Sequence, residues 1–358
     1  MKRSDRSWLT NWWFQIDWWI FGLVAAFCFI GILCGISSPR LFHKTVFFYA
    51  ASAAIFLVVP MIGKKMTVNA AWMLLGICMG LFAATYLTPH VIHGSRRWFM
   101  IFGWSVMPAD LLKPAFVVLT SWFLAHAKRR EPADWIGGES VRSAWACYGA
   151  AFAAMLAFMF FHPDLGNMFM YLAVFGAMIF WLGAKWRYIA ALGLLGVVAG
   201  AVSMAHSHFR LRLGGGSDGW QAERALDAIR NGGLWGRGEE SFLFQRVPMA
   251  NNDFVFSHLA EMWGGVACAA LLAAMFWMFA LLFKRSVAAR DDFSSLVIFG
   301  AAMFFALHVM LNVLTAAGVI MKGTTLPFIS YGGSSLVGFS LLLAVALGAI
   351  RREKWGGS

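Results

Sequence analysis

Five stretches of this 358-residue chain hold ionisable groups among apolar neighbours, and each combination suggests a chemistry. Asp253 stands in Val247-Pro-Met-Ala-Asn-Asn-Asp-Phe-Val-Phe-Ser257, where a long polar connection gives way to an apolar run. A carboxylate at such a water–lipid boundary serves either as a helix cap or as a general base that draws a proton from a hydroxyl. Glu261, two turns further on, points about the same way on an ideal helix and offers a second polar group. Asp110 and Lys113, in Pro108-Ala-Asp-Leu-Leu-Lys-Pro114, share a face of a first helical turn. They read either as a self-neutralised helix start or as an ion pair shaping a polar cavity between helices. Asp164, in His162-Pro-Asp-Leu-Gly-Asn167, has the position of an N-cap after proline. Arg96 and Arg97, in Gly94-Ser-Arg-Arg-Trp98, carry forked donors that clamp a phosphate or snorkel to headgroups.

The last stretch is Lys322-Gly-Thr-Thr-Leu-Pro-Phe-Ile-Ser-Tyr-Gly-Gly-Ser-Ser335. Pro327 and the Gly332–Gly333 pair break an apolar helix there, and unwound backbone at membrane depth must be satisfied by protein or water. Its free N–H groups, the Ser330 hydroxyl and the Lys322 charge suit an anion or a sugar. From these residues alone the chemistry is that of a polar outer cavity, in a transporter or in an enzyme with a lipid substrate.

The elements that must position these groups follow from composition. The chain is 60% apolar, 16% aromatic and only 13% charged, with a mean hydropathy of +0.69. Soluble proteins are about half apolar and about a quarter charged, so the excess belongs in a bilayer. The formal net charge of +12 comes as short basic clusters between apolar runs, which is a pattern of membrane orientation and not of nucleic-acid binding. The five cysteines and nine histidines show no CxxC or HExxH spacing, and no Walker loop is present.

Ten runs are long and apolar enough to span, about residues 19–38, 44–63, 68–88, 109–127, 143–161, 166–183, 187–205, 257–283, 294–317 and 326–350. Lys and Arg number seventeen at one set of ends and five in the short loops of the other, so both termini are expected in the cytoplasm. Residues 1–18, rich in Trp beside Lys2, Arg3 and Arg6, suit an interfacial segment. The connection of residues 206–256 then lies outside, before the eighth helix, with six arginines against six acids. The fold class is therefore an all-α polytopic membrane protein, a single domain over 1–358. Gly76–Gly80 and Gly196–Gly200 have GxxxG spacing, expected to mark close helix contacts.

Six motifs in order on this frame resemble the SEDS family (shape, elongation, division and sporulation; RodA, FtsW and SpoVE types) over nearly the whole chain. They are Gly94 to Trp98, Pro108 to Pro114, Pro163-Asp-Leu-Gly166, Gly232-Gly-Leu-Trp-Gly-Arg-Gly238, Val247-Pro248 with Asp253-Phe-Val-Phe256, and Leu326 to Ser335. The Lys322-Gly323 lead-in is closest to the division-type members. The resemblance implies a peptidoglycan glycosyltransferase that polymerises lipid II on the outer face of the bacterial inner membrane, at the division septum. It implies that Asp253 is the catalytic aspartate, and that Arg96, Arg97, Lys113 and Lys322 face the diphosphate leaving group with Asp110 holding Lys113. Asp164, Ser330, Gly332 and Gly333 complete the expected substrate site. The expected partners are a class B penicillin-binding protein transpeptidase (FtsI-like) and other division proteins. A divalent cation, Mg or Mn, would suit the chemistry at Asp253, but the sequence shows no ligand set for one.

The chain departs from the family pattern in three places. Asp110 stands where a Glu is usual, Met249-Ala-Asn-Asn252 replaces Glu-Ala-His-Thr, and His162 replaces a Gln. Two other functions compete with the polymerase: a lipid II flippase, favoured by the ion pair and broken last helix, and a scaffold that only recruits the transpeptidase. An elongation role is the alternative to division.

Overall fold

The computed structural model describes residues 17–36, 39–87, 97–101, 104–129, 141–161, 164–183, 185–187, 190, 193–194, 196, 217–238, 252–320 and 323–355. Ten helices run through them: α1 (Trp18–Ile36), α2 (Pro39–Val58), α3 (Lys64–Leu87), α4 (Pro108–Arg129), α5 (Val141–Phe161), α6 (Leu165–Trp181), α7 (Ser217–Gly232), α8 (Val255–Ala288), α9 (Asp292–Ala316) and α10 (Gly333–Trp355). Six of them (α2, α3, α4, α8, α9 and α10) are long and apolar enough to cross a membrane, and α1, α5 and α6 are shorter apolar helices. The chain is thus a polytopic helical membrane protein. The run expected at 187–205 and the interfacial segment before Asp17 lie mostly or wholly outside the described residues.

Three helices form the centre. Of the apolar window of α4, 89% is buried, and of α10 78%, against 28% for α2 and α8. Helices α4, α9 and α10 pack on one another, α2 and α3 flank them, and α6 and α8 close the other side. Phe116, Tyr171 and Phe304 meet edge to face in this core, with centroids 4.9–6.0 Å apart. Two features of α4 follow from its prolines. Pro108 opens the helix, where a missing N–H costs nothing. Pro114 cannot donate to the Asp110 carbonyl, and there Gly338 of α10 comes so close that any Cβ would overlap that oxygen.

One end of the bundle gathers most of the described basic residues. Arg285 reaches Asp17 at 2.6 Å and Lys354 lies 3.7 Å from the same carboxylate, so the start of α1 and the end of α10 stand together. Lys64 pairs with Asp291 at 2.9 Å, and Glu353 accepts from the backbone N–H groups of Arg290 and Asp291. Asp291 also caps α9 by accepting from the Ser294 N–H.

Four expectations need correction. The last run does not become helical until Gly333, because Phe328 turns through a φ of 65° after Pro327. That left-handed residue costs about 1–2 kcal/mol, and the Tyr49 hydroxyl donates to its carbonyl at 2.7 Å. Gly76 and Gly80 mark no close helix contact among the described residues, since a Cβ on either would meet none of them within 4 Å. The connection 206–256 is not merely a loop, for residues 217–232 form α7 against α8. Finally, a small hairpin, Phe99–Ile101 with Trp104–Val106, follows the Arg97-Trp98 motif, pairing Phe99 with Val106.

Candidate functional site

The expected site residues that the structure describes lie at the end of the bundle opposite the Asp17 cluster, on the starts of α4, α6, α8 and α10. Asp253 belongs to a turn, Asn252 to Phe254, that leads into α8. It is half-buried and does not occupy the cap position, which belongs to Phe254. The turns that follow are buried on all sides: Val255, Ser257, Leu259 and Glu261 are each 0% exposed. Apolar or polar, these residues face protein, so the aspartate is carried on a stem that runs inside the molecule. Asp253 precedes the helix, and Glu261 is buried two turns into it.

Asn312, near the end of α9, holds this turn. Its amide nitrogen donates to the Asp253 carbonyl at 3.0 Å and to the Thr324 carbonyl at 2.5 Å. Gly323 lies directly against the Asp253 carboxylate, where a Cβ would overlap the Oδ2 oxygen. The Ser330 hydroxyl donates to the Asn252 carbonyl and accepts from the Leu326 N–H, each at 2.7 Å. Ser330 therefore ties the broken segment before α10 to the aspartate turn, with its proton committed to backbone. Thr325 and Ser335 share a hydroxyl hydrogen bond of 2.6 Å, and His308 Nδ1–H donates to the Thr325 carbonyl at 3.2 Å.

The charged pair of α4 adjoins this segment. Lys113 Nζ donates to Asp110 Oδ1 at 2.7 Å, is itself fully buried, and lies 4.5 Å from the Phe339 ring centre. Ser334 donates to the other Asp110 oxygen at 3.3 Å. Both readings of the pair assumed a shared helical face, and the face is shared. Gly332 and Gly333 serve packing: a Cβ on Gly332 would stand 3.2 Å from Thr325 Cγ2, and one on Gly333 would enter the Phe48 ring. Burial raises the Tyr331 phenol above its ordinary value, so it stays neutral.

Asp164 is the first residue before α6, yet its side chain makes no cap bond. It accepts instead from Asn167 at 2.7 Å and from Arg97 at 3.4 Å, which corrects the N-cap reading. The Arg97 guanidinium also lies over Trp98 at 5.2 Å. Tyr171, one turn beyond Asn167, donates to the Ala109 carbonyl at 2.6 Å and links this rim to the Asp110 pair. Arg96 and Lys322 lie outside the described residues.

Asn312, Gly323, Ser334, Asn167 and Tyr171 were absent from the sequence-derived site. Asn312 and His308 carried a usable signal, as polar groups one turn apart in an apolar helix. Among the described residues no three His, Cys, Asp or Glu side chains converge as a metal would require.

Comparison with known proteins agrees with this architecture. The chain is 30% identical to the probable peptidoglycan glycosyltransferase FtsW of Caulobacter vibrioides, across 98% of this chain and 93% of that protein. It is 28% identical to the protein of the same name from Saccharophagus degradans, across 90% and 89%. Among solved structures it resembles a chain of a peptidoglycan synthase complex that coordinates polymerization and crosslinking (TM-score 0.76, 23% identity, 95% and 98% covered). It resembles the rod shape determining protein RodA of Thermus thermophilus likewise (TM-score 0.69, 24% identity, 94% and 97% covered). The cell cycle protein family of FtsW, RodA and SpoVE matches over residues 10–354, and the chain belongs to that family.

Proposed function

We propose that this protein is a peptidoglycan glycosyltransferase that polymerises lipid II at the outer face of the bacterial inner membrane, and that Asp253 is its general base. The observation that carries the assignment is the setting of Asp253. Its turn is pinned by Asn312 and Ser330, its half-buried carboxylate abuts Gly323, and the segment that follows reaches the buried lysine–aspartate pair through Ser334.

In the reaction, the Asp253 carboxylate takes the proton of an acceptor sugar hydroxyl as that oxygen attacks the anomeric carbon of the donor. The bond from that carbon to the diphosphate oxygen breaks, and undecaprenyl diphosphate leaves with the electron pair. Arg96, Arg97, Lys113 and Lys322 supply positive charge toward the leaving group. Asp110 orients Lys113, and Asp164 orients Arg97. Ser330, Gly332 and Gly333 shape the broken segment that lines the site.

The names of the relatives support division over elongation, and so the septum as the place of action. A class B penicillin-binding protein is the proposed partner, since the related complex couples polymerization to crosslinking. The deciding experiment compares wild type with Asp253→Asn, purified with the partner, on labelled lipid II. Asn is nearly isosteric but cannot accept the proton. Long glycan strands from wild type and none from the folded variant are expected. Equal strands from both would remove Asp253 from the mechanism, and lipid II flipped in vesicles without strands from either would make the protein a transporter.

A further inference from the structure

Helix α8 is interrupted at Gly264, whose φ of 84° lies in the left-handed region. Helix geometry would give the N–H groups of Gly265 and Val266 to the carbonyls of Glu261 and Met262. Instead Gly265 donates to the Gly233 carbonyl at 2.8 Å and Val266 to the Leu234 carbonyl at 3.2 Å. The released Glu261 carbonyl accepts from the Arg237 N–H at 2.8 Å. The turn that ends α7 is thus stitched into the break. Glycine is required at each close approach: a Cβ on Gly232, Gly236 or Gly264 would overlap the carbonyls of Ala260, Met262 and Leu234 respectively.

On this tightly held backbone, Leu234 is 66% exposed and Trp235 81% exposed. Their level in the bilayer follows from α8. Arg285 marks the end with the basic cluster, through its pair with Asp17. Gly264 lies about 30 Å away at a rise of about 1.5 Å per residue, the thickness of the hydrocarbon core. Between the two levels α8 exposes Val266, Phe276 and Trp277, as a lipid-facing helix does. The tip therefore stands at the opposite water–lipid boundary, where tryptophan is favoured. Arg230, with a side chain 75% exposed, and Arg237 flank it. Irregular backbone is tolerated at that level because the turn and the broken helix satisfy each other.

We propose that the Gly232–Gly238 turn is an outer-leaflet anchor: Leu234 and Trp235 seat among the upper acyl carbons of phospholipids, with Arg230 and Arg237 against the lipid phosphates. The test uses the wild-type chain in vesicles of phosphatidylethanolamine and phosphatidylglycerol. One sample contains a phospholipid with a diazirine high on its acyl chain, and the other receives a water-soluble diazirine. After irradiation, tryptic cleavage at Arg230 and Arg237 releases residues 231–237, which mass spectrometry reads for adducts. The anchor predicts lipid adducts on Leu234 and Trp235 and at least tenfold fewer from the aqueous probe. Labelling mainly by the aqueous probe would overturn it, because the tip would then stand in water. Labelling by neither would overturn it too, because protein would then cover the tip. A nitroxide on Trp235→Cys, compared with one on Asp227→Cys, gives an independent depth through oxygen against nickel-chelate relaxation. Equal chelate access at the two sites would also overturn the anchor.

Discussion

The amide nitrogen of Asn312 lies 3.0 Å from the backbone carbonyl of Asp253, and the same nitrogen lies 2.5 Å from the carbonyl of Thr324. One side chain in the last turns of α9 thereby holds together the turn before α8 and the broken segment before α10. Asn312→Ala leaves both carbonyls without this donor, at a cost of about 1–3 kcal/mol. Asn312→Asp does worse, since a carboxylate offers oxygen to oxygen. Thermal unfolding should show that order, and single-turnover lipid II polymerisation should fall about tenfold or more for both while lipid II affinity stays within about twofold.

Gly323 leaves no space beside the Asp253 carboxylate. Gly323→Ala should push that carboxylate aside and lower polymerisation about a hundredfold, the scale of a 1 Å misplacement. Gly332→Ala meets only Thr325 Cγ2 at 3.2 Å, a contact that yields by a few tenths of an ångström, and should stay within about threefold of wild type. Glycan-strand assays on the two variants side by side check the contrast.

Lys113 is fully buried and bonded to Asp110. Lys113→Met should destabilise by about 3–5 kcal/mol, because it strands the carboxylate. Adding Asp110→Asn removes that charge and should restore most of the stability. Activity should stay lost in both if the lysine serves the leaving group. Recovery of activity in the double variant would reduce the pair to a packing role.

Two glycines of the α7–α8 stitch separate strain from overlap. Gly233 has a φ of 54° but open space around it, so Gly233→Ala should cost about 1 kcal/mol. Gly264 combines a φ of 84° with the Leu234 carbonyl, so Gly264→Ala should cost about 3 kcal/mol or more. Unfolding followed by tryptophan fluorescence measures both.

The spans were legible because lipid demands long apolar runs, and α4, α8 and α9 begin within two residues of their expected positions. Asp110 and Lys113 were legible as a pair because their contact is local. Arg97 with Asp164 was not, since 67 residues separate them, and Asn312 lies 59 residues from Asp253. Spacing carries no trace of such meetings, which only helix packing creates. The same limit explains Gly76 and Gly80, whose GxxxG spacing is real but has no close neighbour among the described residues. Helix α7 was hidden for another reason: its polar sequence, SDGWQAERALDAIRNG, reads as loop until α8 provides a surface to pack on.

The Asn312 bridge also has a consequence for biogenesis. Asp253 enters the membrane with α8, its amide clasp arrives with α9, and Gly323 to Ser335 come only with the last helix. The geometry proposed for catalysis is therefore complete only once the whole chain has been inserted. A ribosome-bound or truncated chain carries the aspartate without its setting, so a half-made protein cannot begin to build wall.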